Sequence, residues 1–175
     1  MKKIVLFMTL LSAAAQTIPV ANAADGTVNF NGMIADEACS VDIKSASQVI
    51  TMGTISTSAF KSAGEVASPT RFSIALNNCP ESVKNISVNF TGTADAVNTN
   101  LLGLSSDSGA KNVGVALYES DSMTLIPLRA DSALVPIEST SSVNTLNYVA
   151  KYMATASTVM PGSANATADF TLGYN

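Results

Sequence analysis

Histidine and tryptophan are both missing from the 175-residue chain, and charged residues make up only 13% of it. The absence of histidine excludes Ser-His-Asp and Cys-His nucleophilic machinery, together with every zinc site that needs an imidazole ligand. Beyond residue 23 the lysines and arginines are scattered along the chain. Because binding to phosphates needs concentrated positive charge, nucleic acid is not expected as a partner.

The amino terminus has the pattern of a secretory signal peptide, residues 1–23. Lys2 and Lys3 precede the apolar run IVLFMTLLSAAA, and residues 21–23 (ANA) form a small-x-small cleavage site. An uncleaved membrane anchor is the alternative, but the run is short for a membrane span and no stop-transfer pattern follows. Cleavage would leave 152 of the 175 residues, enough for one domain with its own core. It would also change the net charge from −4 to −6, because two lysines are lost.

Cysteine is scarce, with only Cys39 and Cys79 in the chain. A secretory signal directs the chain to an oxidising compartment, where an even number of cysteines usually pairs. A bridge between them would close a loop of about 40 residues and stabilise the fold by roughly 4 kcal/mol in the chain-entropy model. Two free thiols or a metal-binding pair are the alternatives.

Six stretches of the chain alternate between apolar and polar residues or are rich in β-branched and aromatic residues, which is typical of strands. Clusters of Gly, Asn, Ser, Asp and Pro separate them, and only residues 56–63 are expected to form a short helical turn. Pro127 indicates an edge strand or a bulge, because proline cannot donate to a ladder. The pattern predicts an all-β antiparallel sandwich. The six stretches are residues 71–76, 85–90, 113–119, 123–128, 146–153 and 168–174.

Two pairs of acidic residues, Asp36 with Glu37 and Glu119 with Asp121, are the first candidates for acid/base catalysis. Both pairs flank turns, where carboxylates are ordinarily solvated. The sequence also matches neither the spacing of a calcium-binding loop nor a glycine-rich phosphate loop. The interpretation is therefore a protein that is not an enzyme, with no catalytic residues, no metal site and no cofactor.

Both ends of the mature chain have the pattern of a strand with one apolar face. In residues 27–34 (TVNFNGMI), that face is formed by Val28, Phe30, Gly32 and Ile34. Each face needs a partner to cover it. The corresponding face at the carboxyl end is formed by Ala166, Ala168, Phe170, Leu172 and Tyr174.

These features together resemble the major subunits of type 1-like fimbriae, which are assembled by the chaperone–usher pathway. The resemblance covers essentially the whole mature chain. Its carriers are residues 26–41 (GTVNFNGMIADEACSV), Cys79 within LNNCP, and residues 152–175 (YMATASTVMPGSANATADFTLGYN). Gly162, the fourteenth residue counted from the carboxyl end, and the penultimate Tyr174 match two marked features of the family.

The resemblance implies an incomplete immunoglobulin-like sandwich of six strands, completed by a strand donated from a neighbouring subunit. Residues 24–36 would be the donor-strand extension and residues 37–175 the pilin domain. The donor residues would be Val28, Phe30, Gly32 and Ile34. The acceptor groove and chaperone contact would be formed by Gly162, Ala168, Phe170, Leu172, Tyr174 and Asn175.

The partners implied are identical or related pilin subunits, a periplasmic chaperone, an outer-membrane usher, and a tip adhesin or adaptor. A chaperone strand would fill the groove first, with the terminal carboxylate of Asn175 anchored in its basic cleft, until the next subunit's extension replaces it. The chain would pass through the periplasm to a fimbrium on the cell surface. A minor adaptor or tip pilin is one alternative. A self-complete secreted β-sandwich binding module, its amino-terminal strand folded onto its own sheet, is another.

Overall fold

The structure, a computed structural model, describes residue 28 and residues 38–175. Residues 38–175 belong to one unit and Val28 to another. The first of these holds a short helix α1 (Ile43–Ala46) and one turn of 3-10 helix (Thr57–Ala59). Its strands are β1 (Ser40–Val41), β2 (Val66–Asn77), β3 (Asn85–Gly92), β4 (Val113–Glu119), β5 (Leu125–Ile126), β6 (Val135–Pro136), β7 (Val143–Ala154) and β8 (Ala168–Tyr174).

The strands form two antiparallel sheets. The larger has the order β1-β2-β7-β4-β5, and the smaller has the order β6-β3-β8. The two longest strands, β2 and β7, pair with each other over most of their length, with Ile74 opposite Leu146. This architecture confirms the predicted all-β, incomplete immunoglobulin-like sandwich. No helix in the part of the chain that the structure describes is long and apolar enough to cross a membrane.

The core lies between the two sheets because every second residue of each strand points inward. On β3, Ile86, Val88 and Phe90 are at most 3% exposed. The Phe90 ring packs edge-on against Tyr148 of β7, with ring centroids 5.2 Å apart, and lies 6.0 Å from Phe72 of β2. Burial of each such side chain stabilises the fold by about 1.5–3 kcal/mol.

The larger sheet is also covered on part of its outer face. A second apolar cluster there contains Leu101, Ala116, Tyr118, Val149 and Met153. Strand β4 is therefore buried on both faces along nearly its whole length. This double burial explains why its sequence, VGVALYE, is almost continuously apolar and does not alternate cleanly.

The six predicted stretches correspond to β2, β3, β4, β5, β7 and β8. The bounds 113–119 and 168–174 are those of β4 and β8, whereas β2 and β7 extend to twelve residues each. Pro127 directly follows β5, which is an edge strand as predicted. The 3-10 turn lies within residues 56–63, also as predicted. The short elements α1, β1 and β6 were not predicted, because elements of two to four residues have no readable periodicity.

Cys39 and Cys79 form a disulfide, with the two sulfur atoms 2.13 Å apart. The bridge lies beside the pairing of β1 with β2, where Ser40 is opposite Asn77. It therefore ties the start of the described chain to the end of β2. The pairing predicted from the secretory signal is confirmed, and the alternatives of free thiols or a metal pair are excluded.

Candidate strand-binding groove

A groove of about 1090 Å³ opens between the two sheets next to β8. One wall is formed by residues 164–170, which include the first part of β8, and the other by residues 45–54. The floor is the inward face of the larger sheet. Its side chains are Phe72, Ile74, Val115, Leu117, Ala150 and Tyr152.

Within the described residues, β8 pairs with a strand on one side only, where it runs antiparallel to β3. The end pair of this ladder, Asn85 and Asn175, exchanges two main-chain hydrogen bonds of 2.9 and 3.0 Å. In an antiparallel ladder, pairs of this kind alternate with pairs that exchange none. The residues whose N–H and C=O groups point away from β3 are therefore Ala168, Phe170, Leu172 and Tyr174.

The side chains of these outward-bonding residues anchor β8 on the core. Ala168, Phe170 and Leu172 are partly buried and pack against the core cluster. Asp169 and Thr171, which alternate with them, are exposed. An edge strand with free main-chain groups above an apolar groove is the arrangement that accepts an added strand.

The other side of β3 is covered by chain that has little strand structure of its own. The N–H of Arg129 donates to the carbonyl of Phe90 at 2.8 Å, and that of Ser132 donates to Val88 at 2.9 Å. The hydroxyl of Ser132 in turn accepts from the N–H of Val88 at 2.9 Å. The main-chain groups of β3 are thus used on both sides, whereas those of β8 are used on one side only among the residues that the structure describes.

In the second wall, residues 47–54 have no main-chain hydrogen bond to any other main-chain group that the structure describes. Two side chains hold it instead. Gln48 donates through Nε2 to the carbonyl of Ser73 at 3.2 Å, and the hydroxyl of Ser68 donates to the carbonyl of Met52. The groove is therefore bordered by polar main chain on both sides and by apolar side chains below.

Gly162 lies near one end of the groove, at a smaller cavity of about 270 Å³. Tyr152 and Ala164 line both spaces. A Cβ atom at Gly162 would overlap the nitrogen of Ala110 and the carbonyl carbon of Gly109. Because the overlap is with main chain, no side-chain rotation could relieve it, so only glycine fits here.

The structure brings part of the predicted site together. Ala168 and Phe170 line the groove, and Leu172 packs on the core further along β8. Tyr174 is 40% exposed, and Asn175, which directly follows the strand, is exposed as well. Among the predicted donor residues, Val28 is 74% exposed. The other three, Phe30, Gly32 and Ile34, lie outside the described residues.

The acidic pair Glu119 and Asp121 organises turns. Oε1 of Glu119 accepts from the N–H of Ala133 at 2.7 Å. Oδ1 of Asp121 accepts from the N–H groups of Met123 and Thr124, and the Thr124 hydroxyl donates to its Oδ2. The hydrogen bonds from Thr124 lower the pKa of Asp121 below its usual value, which favours the ionised carboxylate. Asp36 and Glu37 lie outside the described residues.

The floor and the second wall of the groove were not predicted from the sequence. The floor could have been read from the alternation of the predicted strands, because Phe72 with Ile74 and Ala150 with Tyr152 occupy the inward positions of β2 and β7. The wall at residues 45–54 has no comparable signal. Beyond the end of α1 at Ala46 it is an irregular segment, and its position depends on contacts with β2.

Comparison with known proteins agrees with this arrangement. A family model described as "Fimbrial protein" matches residues 28–175. The probable major fimbrial subunit LpfA of Escherichia coli O157:H7 is 35% identical over 176 residues, which cover 99% of this chain and 97% of that protein. The chain therefore belongs to the fimbrial protein family.

Solved structures extend the likeness to the fold. The type I fimbria protein BPSL1626 of Burkholderia pseudomallei has 34% identity and a TM-score of 0.61, covering 80% of this chain and 91% of that one. A chaperone–usher pilus structure has 25% identity and a TM-score of 0.64, covering 92% of this chain and 100% of that one. The chain is thus a structural pilus subunit, and its place is a surface fimbrium.

Proposed function

We propose that the groove beside β8 accepts a strand from a neighbouring subunit, so that subunits polymerise by donor-strand exchange into an adhesive fibre. Residues 24–36 are the donor extension in this proposal, and residues 37–175 are the pilin domain that accepts. One observation carries the proposal: the free main-chain edge of β8 and the apolar groove lie side by side. A structural role of this kind requires no catalytic residue.

The donor stretch and the groove have matching chemistry. The apolar face of residues 27–34 would contact the floor of the groove, and its main chain would bond to the edge of β8. Burial of Val28, Phe30 and Ile34 would contribute about 1.5–3 kcal/mol each. Because the donor belongs to one end of the chain and the groove to another surface, the contact is head-to-tail and builds an open filament.

Assembly partners follow from the same groove. An apolar groove beside a free strand edge would aggregate if left uncovered, so a periplasmic chaperone that lends a strand fits the chemistry. The exposed carboxylate of Asn175 at the end of β8 offers an anchor for a basic cleft in that chaperone. The next subunit's extension would replace the chaperone strand at an outer-membrane usher, after residues 1–23 had directed the export of the chain.

A graft tests the proposal. Residues 25–36 are added after Asn175 through a short linker, so that a turn brings the graft back antiparallel to β8. We expect a stable monomer that no longer polymerises. The matched control is the same graft with Phe30→Asp in the added copy, which should not protect the subunit. If the ungrafted mature chain is already an equally stable monomer without a chaperone, donor-strand exchange is the wrong interpretation.

The position in the fibre is proposed to be the shaft, since the relative in Escherichia coli is described as a probable major subunit. A minor adaptor or a tip pilin would use the same groove. Quantitative mass spectrometry of purified fibres decides between them. The shaft requires many copies of this chain for each copy of the tip adhesin, whereas an adaptor would be present in one or a few copies.

A further inference from the structure

A hydrogen bond from the larger sheet reaches the segment that leads into β8. The hydroxyl of Tyr152, on β7, donates to the carbonyl oxygen of Ala164 at 2.9 Å. Tyr152 is only 8% exposed, and it lines the groove together with Ala164. The bond therefore joins the floor of the groove to the wall from which β8 continues.

The direction of the Ala164 carbonyl follows from its neighbours. The carbonyl of Ser163 accepts from the N–H of Ala110 at 3.0 Å, and that of Asn165 accepts from Ser105 at 2.7 Å. In extended chain, successive residues direct their main-chain groups to opposite sides. The carbonyl of Ala164 thus points to the side where Ala168 and Phe170 have their free groups.

We infer that Tyr152 is a positioning residue that sets how far a donated strand can pair along this edge. The inference deepens the proposed strand donation and rests on it. The carbonyl of Ala164 already accepts from Tyr152, so a donor N–H would have to share this oxygen, and pairing that starts at Tyr174 should weaken beyond Ala166. The edge formed by residues 166–174 is slightly longer than the donor stretch 27–34. The point at which Tyr152 limits the pairing therefore lies close to the carboxyl end of the donor stretch.

A defined end of the pairing matters because the alternation of apolar and polar residues does not by itself fix the register between the donor and β8. A slip of one residue turns the apolar face of a strand outward and is strongly disfavoured. A slip of two residues keeps that face inward, so packing opposes it less. An antiparallel donor whose amino end lies at Tyr174 would bring the residues after Ile34 towards Tyr152. There a donor N–H must share the carbonyl of Ala164 with the hydroxyl of Tyr152, which distinguishes one register from the next.

The test compares fibres of the full chain that carry Tyr152→Phe or Tyr148→Phe. Both tyrosines are buried on β7 with a bonded hydroxyl, but that of Tyr148 contacts Ser132, at 3.2 Å. Amide hydrogen exchange of the fibres is followed by mass spectrometry over residues 24–38. In Tyr152→Phe we expect protection to extend past Ile34, with exchange there slowed about fivefold by one additional hydrogen bond. Tyr148→Phe should leave the donor pattern unchanged.

Identical donor protection in Tyr152→Phe and wild-type fibres would overturn the inference. If residues 27–34 are unprotected in wild-type fibres, the proposed strand donation itself fails, which is a different outcome. Should Tyr152→Phe give no fibres, Ala166→Pro and Ala164→Pro replace it. Loss of the Ala166 N–H should shorten the protected donor segment more than loss of the Ala164 N–H does. Equal shortening by both proline variants would refute the role of Tyr152.

Discussion

Phe90 and Phe170 lie directly opposite each other on β3 and β8, yet their main-chain groups differ in their partners. The carbonyl of Phe90 accepts from Arg129 at 2.8 Å, whereas that of Phe170 has no main-chain partner among the described residues. Both side chains line the groove. This difference makes β8, rather than β3, the edge at which another strand can be added.

If residues 27–34 are the donor, Phe30→Asp should produce a subunit that still folds on the proposed chaperone but cannot donate its strand. A carboxylate would enter an apolar groove in place of a ring, which costs the burial of phenylalanine and the desolvation of a charge, together about 3 kcal/mol or more. Electron microscopy of fibres and isolation of the chaperone complex measure the two properties. Asn29→Asp is the matched control, because it adds the same charge on the opposite face. Normal fibres from Phe30→Asp would show that residues 27–34 are not the donor.

Gly162→Ala should destabilise the domain by roughly 3 kcal/mol, because the added Cβ overlaps main chain at Gly109 and Ala110 and the backbone must shift. Gly109→Ala is the matched control, because it adds a Cβ to the other residue of the same main-chain contact. There the Cβ would lie 3.4 Å from the Cα of Gly162, which is an ordinary contact. Denaturation midpoints of the two variants should differ clearly. Equal stability would mean that the close approach at Gly162 is unimportant.

Cys39→Ser should lower the free energy of unfolding by about 4 kcal/mol, because the reduced chain regains the entropy of a loop of 40 residues. The amount of subunit recovered in complex with chaperone should fall accordingly. A variant with both cysteines replaced by serine separates loss of the bridge from reactivity of the remaining thiol. An unchanged fibre yield from both variants would argue against a structural role for the disulfide.

Alkaline pH should destabilise the domain partly through Tyr148. Burial raises the pKa of this phenol above its usual value, and the hydrogen bond with Ser132 offsets part of the rise. In the unfolded chain the pKa of a tyrosine is about 10. Because the folded-state pKa of Tyr148 is higher, its contribution to stability is fully present below about pH 10. That contribution is lost as the pH rises through the folded-state pKa. In Tyr148→Phe, the decline of the denaturation midpoint above pH 10 should be shallower than in the wild type. Parallel declines would assign the pH dependence to other groups.

Sequence patterns were sufficient to locate six of the eight described strands, because these patterns are local. The bounds of β4 and β8 could be read from residues 113–119 and 168–174, where composition and alternation end abruptly at turn residues. The pairing of Cys39 with Cys79 followed from the number of cysteines and the compartment. The full length of β2 was missed, because Ser68 and Pro69 interrupt the pattern where the register with β7 shifts.

The sequence alone determined that β8 exists, which of its residues face inward, and that a second apolar strand pattern precedes the domain. These properties depend on a period of two residues and need no knowledge of the rest of the chain. Only the tertiary structure decided which edge is unpaired among the described residues, because this depends on the distant segment at Arg129 and Ser132 that covers β3. The wall at residues 45–54 and the bond from Tyr152 to Ala164 likewise arise from segments brought together by folding.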